Sequence, residues 1–199
     1  MSKLRLAIMI SGRGSNMEAI LSATDAADYP AQPKLVLSNK AGAAGLQTAA
    51  ERGIPAIAIP HRDFDDRESF ERALDAALRE QDIEIIALAG FMRVLTPWFV
   101  TRWSGRMINI HPSLLPKYPG LDTHRRAIEA GDAEGGCSVH WVSEGVDEGA
   151  VIAQARVPIL PGDSPERLAE RVLVEEHKLY PEALAKACEQ ISARSSQGA

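Results

Sequence analysis

The chain has 199 residues, of which 45% are hydrophobic and 25% are charged, and its formal net charge is −5. This is the balance of an ordinary globular protein, and a chain of this length can bury roughly 70% of the surface that it would expose when unfolded. The acidic charge, with no long basic run, argues against a nucleic-acid partner. A phosphorylated partner is therefore expected to be a small molecule.

Cysteine usage and hydropathy argue against two further classes of protein. The two cysteines, Cys137 and Cys188, lie far apart and outside any Cys-x-x-Cys pair. A disulfide framework and a zinc cluster are therefore not expected, no metal site is predicted, and a reducing, cytoplasmic compartment fits the composition. The apolar stretch Leu6–Ile10 is too short for the hydrophobic region of a signal peptide, and no window approaches a membrane span, so no membrane partner is expected.

Up to Ile110, short apolar runs alternate with longer segments of helical spacing. The apolar runs, each typical of a buried strand, are Arg5–Ile10, Lys34–Ser38, Pro55–Ile59, Ile83–Ala89 and Met107–Ile110. The helical segments between them are Asn16–Ala26, Ala43–Arg52 and Asp66–Gln81. This alternation predicts an α/β fold that is Rossmann-like, with a mostly parallel open sheet and helices on both faces.

The second half of the chain has a different pattern. Ser113–Gly120 is predicted to be a loop, because its prolines exclude both a helix and a central strand. Two helices, two strands and the acidic loop between those strands are predicted after it, at Thr123–Ala130, Ser138–Val142, Ser143–Gly149, Val151–Val157 and Pro165–Cys188. The last helix could be interrupted near Pro181, and Ser195–Ala199 are expected to fray. No repeat divides the chain, so residues 1–199 are expected to form a single domain.

A glycine-rich loop, Ser11-Gly-Arg-Gly-Ser-Asn16, follows the first predicted strand and opens the first predicted helix. Glycines let the backbone approach a ligand closely, and the free N–H groups and the dipole of a helix N-terminus favour an anion. The loop is neither a Walker A motif nor a complete dinucleotide fingerprint, because Met17 occupies the position of the third glycine. A tight turn without a ligand is the alternative, but the serine and asparagine beside the glycines favour phosphate binding.

Asn109 and His111 lie two residues apart at the carboxyl end of a predicted strand, the edge at which open α/β sheets bind ligands. Because strand residues alternate, both side chains can point to the same side. Asn109 can donate a hydrogen bond to a developing oxyanion, and a protonated His111 can also donate, or can move a proton. A cationic histidine needs a carboxylate nearby. Asp147 is the best candidate, although the sequence leaves Glu144 and Glu148 open.

These motifs and four shorter stretches give the chain a resemblance to a known family. The matching stretches are Ile10–Asn16, Leu37–Lys40, Leu88–Arg93, Asn109–Gly120, Gly136–His140 and Glu176-His177. From near residue 5 to near residue 182, they resemble the phosphoribosylglycinamide formyltransferases of purine biosynthesis, in family order, and the block Asn109–Gly120 is highly specific. The resemblance implies the formyltransferase fold. It also implies transfer of a formyl group from 10-formyltetrahydrofolate, as co-substrate, to the amine of phosphoribosylglycinamide.

The resemblance also implies where each substrate binds. The catalytic set would be Asn109, His111 and Asp147, with no metal. The nucleotide would contact Gly14, Ser15 and Asn16 through its phosphate and Glu176 through its ribose. The folate pocket would be lined by Arg67, Asn109, the loop ending at Asp147, and the backbone of Met92, Arg93, Val94 and Leu95. The N-terminal half would thus form the phosphate side and the C-terminal half the folate and catalytic side. Gly14, Ser15 and Asn16 would lie far along the sheet edge from Arg67 and Met92–Leu95.

Other functions of the same fold compete with this one. Methionyl-tRNA formyltransferases carry a further C-terminal RNA-binding domain, which is not expected here, and usually an Arg-Gly where this acidic chain has Tyr118-Pro-Gly120. A formyltetrahydrofolate hydrolase usually carries an N-terminal regulatory domain, and none is expected before Leu4. A non-enzymatic folate- or nucleotide-binding module would not need Asn109, His111 and Asp147. The oligomeric state stays open, with a homodimer as one option.

Overall fold

The computed structural model describes residues 3–197, in which seven strands form one sheet. The strands are β1 (Leu4–Ile10), β2 (Ala31–Ser38), β3 (Ala56–Ala58), β4 (Ile85–Leu88), β5 (Met107–His111), β6 (Glu134–Trp141) and β7 (Val151–Pro158). Their order across the sheet is β3-β2-β1-β4-β5-β6-β7. β1 to β5 pair in parallel, whereas β6 and β7 are antiparallel. The predicted α/β fold with a mostly parallel sheet is confirmed.

Helices cover both faces of the sheet. They are α1 (Ser15–Thr24), α2 (Ala44–Glu51), α3 (Arg67–Glu80), α4 (Pro97–Arg102), α5 (Thr123–Glu129) and α6 (Pro165–Gln197), with a 3₁₀ turn at His61–Asp63. β1 shows how the two faces are divided, because successive side chains of a strand point to opposite sides. Leu6 and Ile8 pack into a core with α1 and α6, whereas Ala7 and Met9 pack into a second core with α3 and α4.

Two elements, α4 and β2, differ from the prediction, and each contains a proline. α4 was not predicted, because six residues are too few to show an apolar period, although a proline at the first helical position is a start signal. β2 begins at Ala31, not at Lys34, and so contains Pro33. The strand accommodates this proline at a bulge, since the register with β1 skips Lys34.

α6 is longer than predicted, and Pro181 does not interrupt it. The hydroxyl of Tyr29 donates to the carbonyl oxygen of Pro181 (2.7 Å), and that of Tyr180 donates to the carbonyl oxygen of Leu88 (2.8 Å), so tertiary contacts hold the helix on both sides of the proline. The predicted fraying is not seen as far as Gln197, and the last two residues lie outside the described residues. Within residues 3–197, no helix combines the length and apolar character that crossing a membrane requires.

The strand order changes direction between β1 and β4. The chain builds β2 and β3 on one side of β1 and then returns to place β4 and β5 on the other side. At such a switch the connections leave two neighbouring strands in opposite directions, and the space outside their carboxyl ends binds ligands. The glycine loop follows β1, the segment Met92–Leu95 follows β4, and Asn109 and His111 lie at the end of β5. All three predicted motifs therefore lie at one edge of the sheet.

Candidate active site

His111 is buried at the end of β5, with a hydrogen-bond acceptor beside each ring nitrogen. Its Nδ1 lies 3.2 Å from Oδ2 of Asp147, and its Nε2 lies 2.9 Å from the carbonyl oxygen of Tyr118. A neutral imidazole has one N–H, whereas an imidazolium has two. The two contacts therefore suit the charged form of His111, the form that the sequence analysis assigned to it.

Asp147 is the carboxylate that meets His111, and this choice was open in the sequence. Glu144 and Glu148, the alternatives, are exposed. Asp147 has a φ of 58°, in the left-handed region, and its Oδ2 accepts a hydrogen bond from the N–H of Gly120 (2.9 Å). Burial raises the pKa of Asp147, but the contact with His140, the hydrogen bond from the N–H of Gly120 and the charge of His111 outweigh it and leave the pKa below its usual value. The carboxylate is thus the stable form.

His140 joins this cluster, although the sequence analysis gave it no role. It faces Asn109 across β5 and β6, with 3.3 Å between its Nε2 and Nδ2 of Asn109. The same Nε2 lies 3.5 Å from Oδ1 of Asp147, and Nδ1 lies 3.0 Å from the carbonyl oxygen of Trp141. The signal that could have revealed it is the matching stretch Gly136–His140. Its position opposite Asn109, however, depends on the strand register.

The proline-rich loop is held in place from both ends. Near its start, the hydroxyl of Ser138 donates to the carbonyl oxygen of Ser113 (2.6 Å). Near its end, Oδ2 of Asp132 accepts hydrogen bonds from the hydroxyl of Tyr118 (2.8 Å) and from Nζ of Lys117 (3.0 Å). Tyr118 has a left-handed backbone, with a φ of 54°. These contacts fix the carbonyl group that His111 meets.

The glycine loop meets α6 through a buried pair. Nδ2 of Asn16 donates to Oε2 of Glu176 (2.7 Å), which brings together residues from opposite ends of the chain. Burial raises the pKa of Glu176, and the hydrogen bond from Asn16 only partly offsets this. Gly14 has a φ of 80°, a conformation that favours glycine, at the N-cap of α1. Gly14, Ser15 and Asn16 thus lie at a helix N-terminus, as predicted.

Two of the predicted folate residues, Arg67 and Val94, are in contact. Nη1 of Arg67, at the start of α3, contacts the carbonyl oxygen of Val94 (3.4 Å). The side chains of Met92 and Val94 are 65% and 59% exposed, which is unusual for large apolar groups. The segment Met92–Leu95 therefore presents two exposed apolar residues beside Arg67.

The glycine loop is hydrogen-bonded to the segment Met92–Leu95. The hydroxyl of Ser11, the first residue of the glycine loop, accepts a hydrogen bond from the N–H of Met92 (2.7 Å). It donates in turn to Oδ1 of Asn39 (2.6 Å). β1 and β4 are neighbours, so the loops that follow them leave the same edge of the sheet. The expected distance of Gly14, Ser15 and Asn16 from the folate residues stays a prediction. Among residues 3–197 no group of three or more His, Cys, Asp or Glu side chains is arranged to hold a metal ion.

Comparisons with known proteins agree with this geometry. The formyl transferase family model matches residues 4–184. The chain is 46% identical over 178 residues to phosphoribosylglycinamide formyltransferase of Escherichia coli (strain K12), a match that covers 89% of this chain and 84% of that protein. It is 52% identical over 183 residues to the trifunctional purine biosynthetic protein adenosine-3 of Drosophila pseudoobscura pseudoobscura. That match covers 91% of this chain but only 13% of the longer relative.

The fold agrees with a solved relative as well. The crystal structure of phosphoribosylglycinamide formyltransferase from Brucella melitensis is 49% identical, with a TM-score of 0.90 over 94% of this chain and 96% of that chain. A second, glycinamide ribonucleotide transformylase 1 from Symbiobacterium toebii, is 40% identical with a TM-score of 0.91. Both the family match and these similarities extend over most of the chain, and the chain therefore belongs to the formyl transferase family.

Proposed function

We propose that the protein transfers the formyl group of 10-formyltetrahydrofolate to the amine of N1-(5-phosphoribosyl)glycinamide. The products are the formylglycinamide ribonucleotide and tetrahydrofolate, and the reaction is a step of de novo purine biosynthesis. The observation that carries the proposal is the cluster of Asn109, His111 and Asp147 at the end of β5, beside the glycine loop and the segment Met92–Leu95. Two relatives named phosphoribosylglycinamide formyltransferase support it, because the match covers most of their length.

The nucleotide is proposed to bind along the glycine loop. Its phosphate would accept hydrogen bonds from Gly14, Ser15 and Asn16 at the N-terminus of α1. Within residues 3–197, Oδ1 of Asn16 and Nε2 of His177 are buried without a hydrogen-bond partner. Buried polar atoms are nearly always paired, so such atoms suit a site that a polar ligand completes. The ribose hydroxyls, held by Glu176, would supply that polarity.

The folate is proposed to bind against Arg67 and the segment Met92–Leu95. Within residues 3–197, the backbone N–H and C=O groups of Arg93 and Leu95 have no hydrogen-bond partner. The edge of a pterin ring alternates donors and acceptors and can pair with such free backbone groups. The exposed side chains of Met92 and Val94 would cover the apolar ring face. Asn109 would lie beside the formyl group, where both substrates meet.

In the proposed mechanism, the amine of the nucleotide attacks the formyl carbon, which forms a carbon–nitrogen bond and turns the formyl oxygen into an oxyanion. Asn109 donates to the oxyanion through the N–H that does not face His140. The ring nitrogens of His111 face Asp147 and the carbonyl oxygen of Tyr118. His111 donates to the oxyanion when it shares one of these N–H groups with it. The bond to N10 of the folate then breaks, and a proton moves from the attacking nitrogen to N10 through water that Asp147 orders. Orientation of two bound substrates supplies much of the rate.

The protein is further proposed to act as one formyltransferase domain, residues 1–199, in the cytoplasm, on small molecules and without a nucleic-acid or membrane partner. Buried free thiols at Cys137 and Cys188 support a reducing compartment. The division into a phosphate half and a folate half stays a prediction. Glu176, from the second half, nevertheless contacts Asn16 in the first.

The test is a single reaction series with purified protein and 10-formyltetrahydrofolate, with and without phosphoribosylglycinamide. Formate and formylated nucleotide are measured in the same tubes. We expect fast transfer with the nucleotide and slow formate release without it. Formate release that is equally fast without the nucleotide would show a hydrolase. Formylation of methionyl-tRNA alone would show the tRNA enzyme, and binding without turnover would show a binding module.

A further inference from the structure

The segment that joins β4 to α4 lacks regular secondary structure, and hydrogen bonds with side chains hold it at three residues. The N–H of Met92 donates to the hydroxyl of Ser11 at one end, and Arg67 contacts the carbonyl oxygen of Val94 in the middle. At the other end, the N–H of Thr96 donates to Oε1 of Glu71 (2.8 Å). The hydroxyl of Thr96 donates to the second oxygen, Oε2, of the same carboxyl group. Glu71 therefore receives both hydrogen bonds from one residue.

Glu71 is unusual because it is almost completely buried, with 1% of its surface exposed. Glutamate is rarely buried to this extent unless its oxygens are paired, since removing a carboxyl group from water is unfavourable. Both partners of this carboxyl group come from Thr96. Its described hydrogen bonds therefore serve to hold the end of the segment, and none reaches Asn109, His111 or Asp147.

The hydrogen bonds of Thr96 also indicate that its contact with Glu71 holds the end of the segment. It is the N-cap residue of α4, where a threonine hydroxyl normally accepts a hydrogen bond from a backbone N–H of the first turn. Here the side chain makes no capping hydrogen bond and instead donates to Glu71. By contrast, Asp66, the N-cap of α3, accepts from the N–H of Ser69 (2.7 Å) in the usual way. The hydroxyl of Thr96 therefore binds Glu71 and does not cap α4.

The helix that carries Arg67 and Glu71, α3, is held in place by the core. Its apolar face, with Phe70, Leu74 and Leu78, is buried in the second core. Arg67 and Glu71 lie one helical turn apart, so they project from the same side of α3 toward the segment. One face of one helix thus determines the position of the Val94 carbonyl group and of the Thr96 backbone.

We propose that Glu71 is a positioning residue for folate binding, which fixes Met92–Leu95 so that its free backbone groups match the pterin edge. This inference rests on the proposed function. Glu71 does not touch the folate or the reacting atoms; it acts through Thr96. The fixed segment reduces the ordering that folate binding requires, so Glu71 increases folate affinity and leaves nucleotide affinity unchanged.

The experiment compares Glu71→Ala with Glu71→Gln, and Thr96→Val with Thr96→Ser. The affinity for tetrahydrofolate is measured by calorimetry, and steady-state kinetics give KM for each substrate and kcat. We expect Glu71→Ala to weaken folate binding about tenfold, in line with the loss of two hydrogen bonds, with little change in the nucleotide KM. Gln and Ser keep an acceptor and a hydroxyl, so both should restore affinity to within about threefold of the wild type. Thr96→Val should show an intermediate loss.

Asp75 provides a matched control on the same helix. It lies one turn after Glu71, is 7% exposed, and accepts hydrogen bonds from Nε of Arg102 (2.7 Å) and Nε1 of Trp103 (3.1 Å). Asp75→Ala thus also removes a buried carboxyl group with two partners, but these partners lie at the end of α4 that is distant from the segment. The free energy of unfolding of both alanine variants is measured by urea titration. Asp75→Ala should be destabilised and should bind folate normally.

Three outcomes would overturn the proposal. One is equal weakening of folate binding by Asp75→Ala and Glu71→Ala, and another is normal folate affinity in Glu71→Ala. If Glu71→Ala does not fold, normal affinity in Thr96→Val would have the same meaning. Failure of the wild-type protein to bind tetrahydrofolate would instead contradict the proposed function, so the two failures are distinguishable.

Discussion

Asn109 and His140 lie directly opposite each other on antiparallel strands, with 3.3 Å between the amide nitrogen of Asn109 and Nε2 of His140. Nδ1 of His140 faces the carbonyl oxygen of Trp141, so a neutral ring carries its proton on Nδ1 and accepts at Nε2. That arrangement directs the NH₂ group of Asn109, and not its oxygen, toward His140. The second N–H of the amide is then free to meet an oxyanion.

Replacement of His140 should therefore reduce turnover through Asn109. In His140→Ala the amide can rotate and present its oxygen to the oxyanion, which repels it. We expect kcat to fall by about tenfold or more, since an oxyanion donor is lost in part of the molecules. Rapid-quench measurement of the transfer step would test this, with binding of both substrates as the control. An unchanged transfer rate would remove His140 from this role.

Direct removal of the oxyanion donors should have a larger effect. Asn109→Ala and His111→Ala should each lower kcat on the order of 10²-fold, as for loss of an oxyanion donor elsewhere. Steady-state kinetics at saturating concentrations of both substrates provide the measurement. Near-normal turnover in both variants would show that the reaction takes place elsewhere.

Asp147→Asn should remove the negative charge of the side chain and keep its shape. Asparagine also tolerates the left-handed backbone, so the loop should keep its conformation. The amide can no longer balance a charged His111, and we expect a large loss of turnover with the nucleotide still bound. Because the pKa of Asp147 lies below its usual value of 3.8, acidification from pH 7 to pH 5 leaves the carboxylate ionised. A loss of activity between pH 7 and pH 5 must then come from another group, and a fully active Asp147→Asn would contradict the assignment.

The proposed role of the glycine loop in phosphate binding can be tested by adding a negative charge to the loop. Ser15→Asp would place a carboxylate against the proposed phosphate and should raise the nucleotide KM at least about tenfold by repulsion. Ser15→Ala, which adds no charge, is the matched control. Tetrahydrofolate affinity should stay largely intact in both. Equal loss of affinity for both substrates would indicate that the loop has a structural role.

The ion pair of Asp163 and Arg171 predicts how stability depends on pH. Both oxygens of Asp163 contact Arg171, at 2.7 and 3.0 Å, and hydrogen bonds from Arg171 and from the N–H of Leu160 lower the pKa of Asp163 to about 2. A lowered pKa stabilises the fold above the unfolded-state value of 3.8, and this contribution disappears as the pH falls to about 2. Asp163→Asn should therefore unfold more easily than the wild type above pH 4 and equally easily near pH 2. Urea titrations of both proteins above pH 4 and near pH 2 provide the measurement. A difference in stability that does not depend on pH would contradict the prediction.

Contiguous motifs were predictable from the sequence, whereas contacts that depend on register were not. The glycine loop and Asn109-x-His111 follow from strand period and from the carboxyl ends of parallel strands. His140 could not be assigned, because its place opposite Asn109 depends on how β6 pairs with β5. The choice of Asp147 over its neighbours required knowledge of one left-handed residue in the loop, which the residue types alone do not reveal.

Three of the four non-glycine residues with positive φ among residues 3–197 lie in the loops around His111: Tyr118, Asp122 and Asp147. Each such conformation is unfavourable by roughly 1 kcal/mol for a residue with a side chain. Glycine would relieve this strain, but at Tyr118 it would also release the carbonyl group that faces His111. At Tyr118 and Asp147 glycine would also remove the hydrogen bonds to Asp132 and from Gly120, so relief of strain would come with a loss of active-site order. A screen for robust variants should score turnover alongside melting temperature.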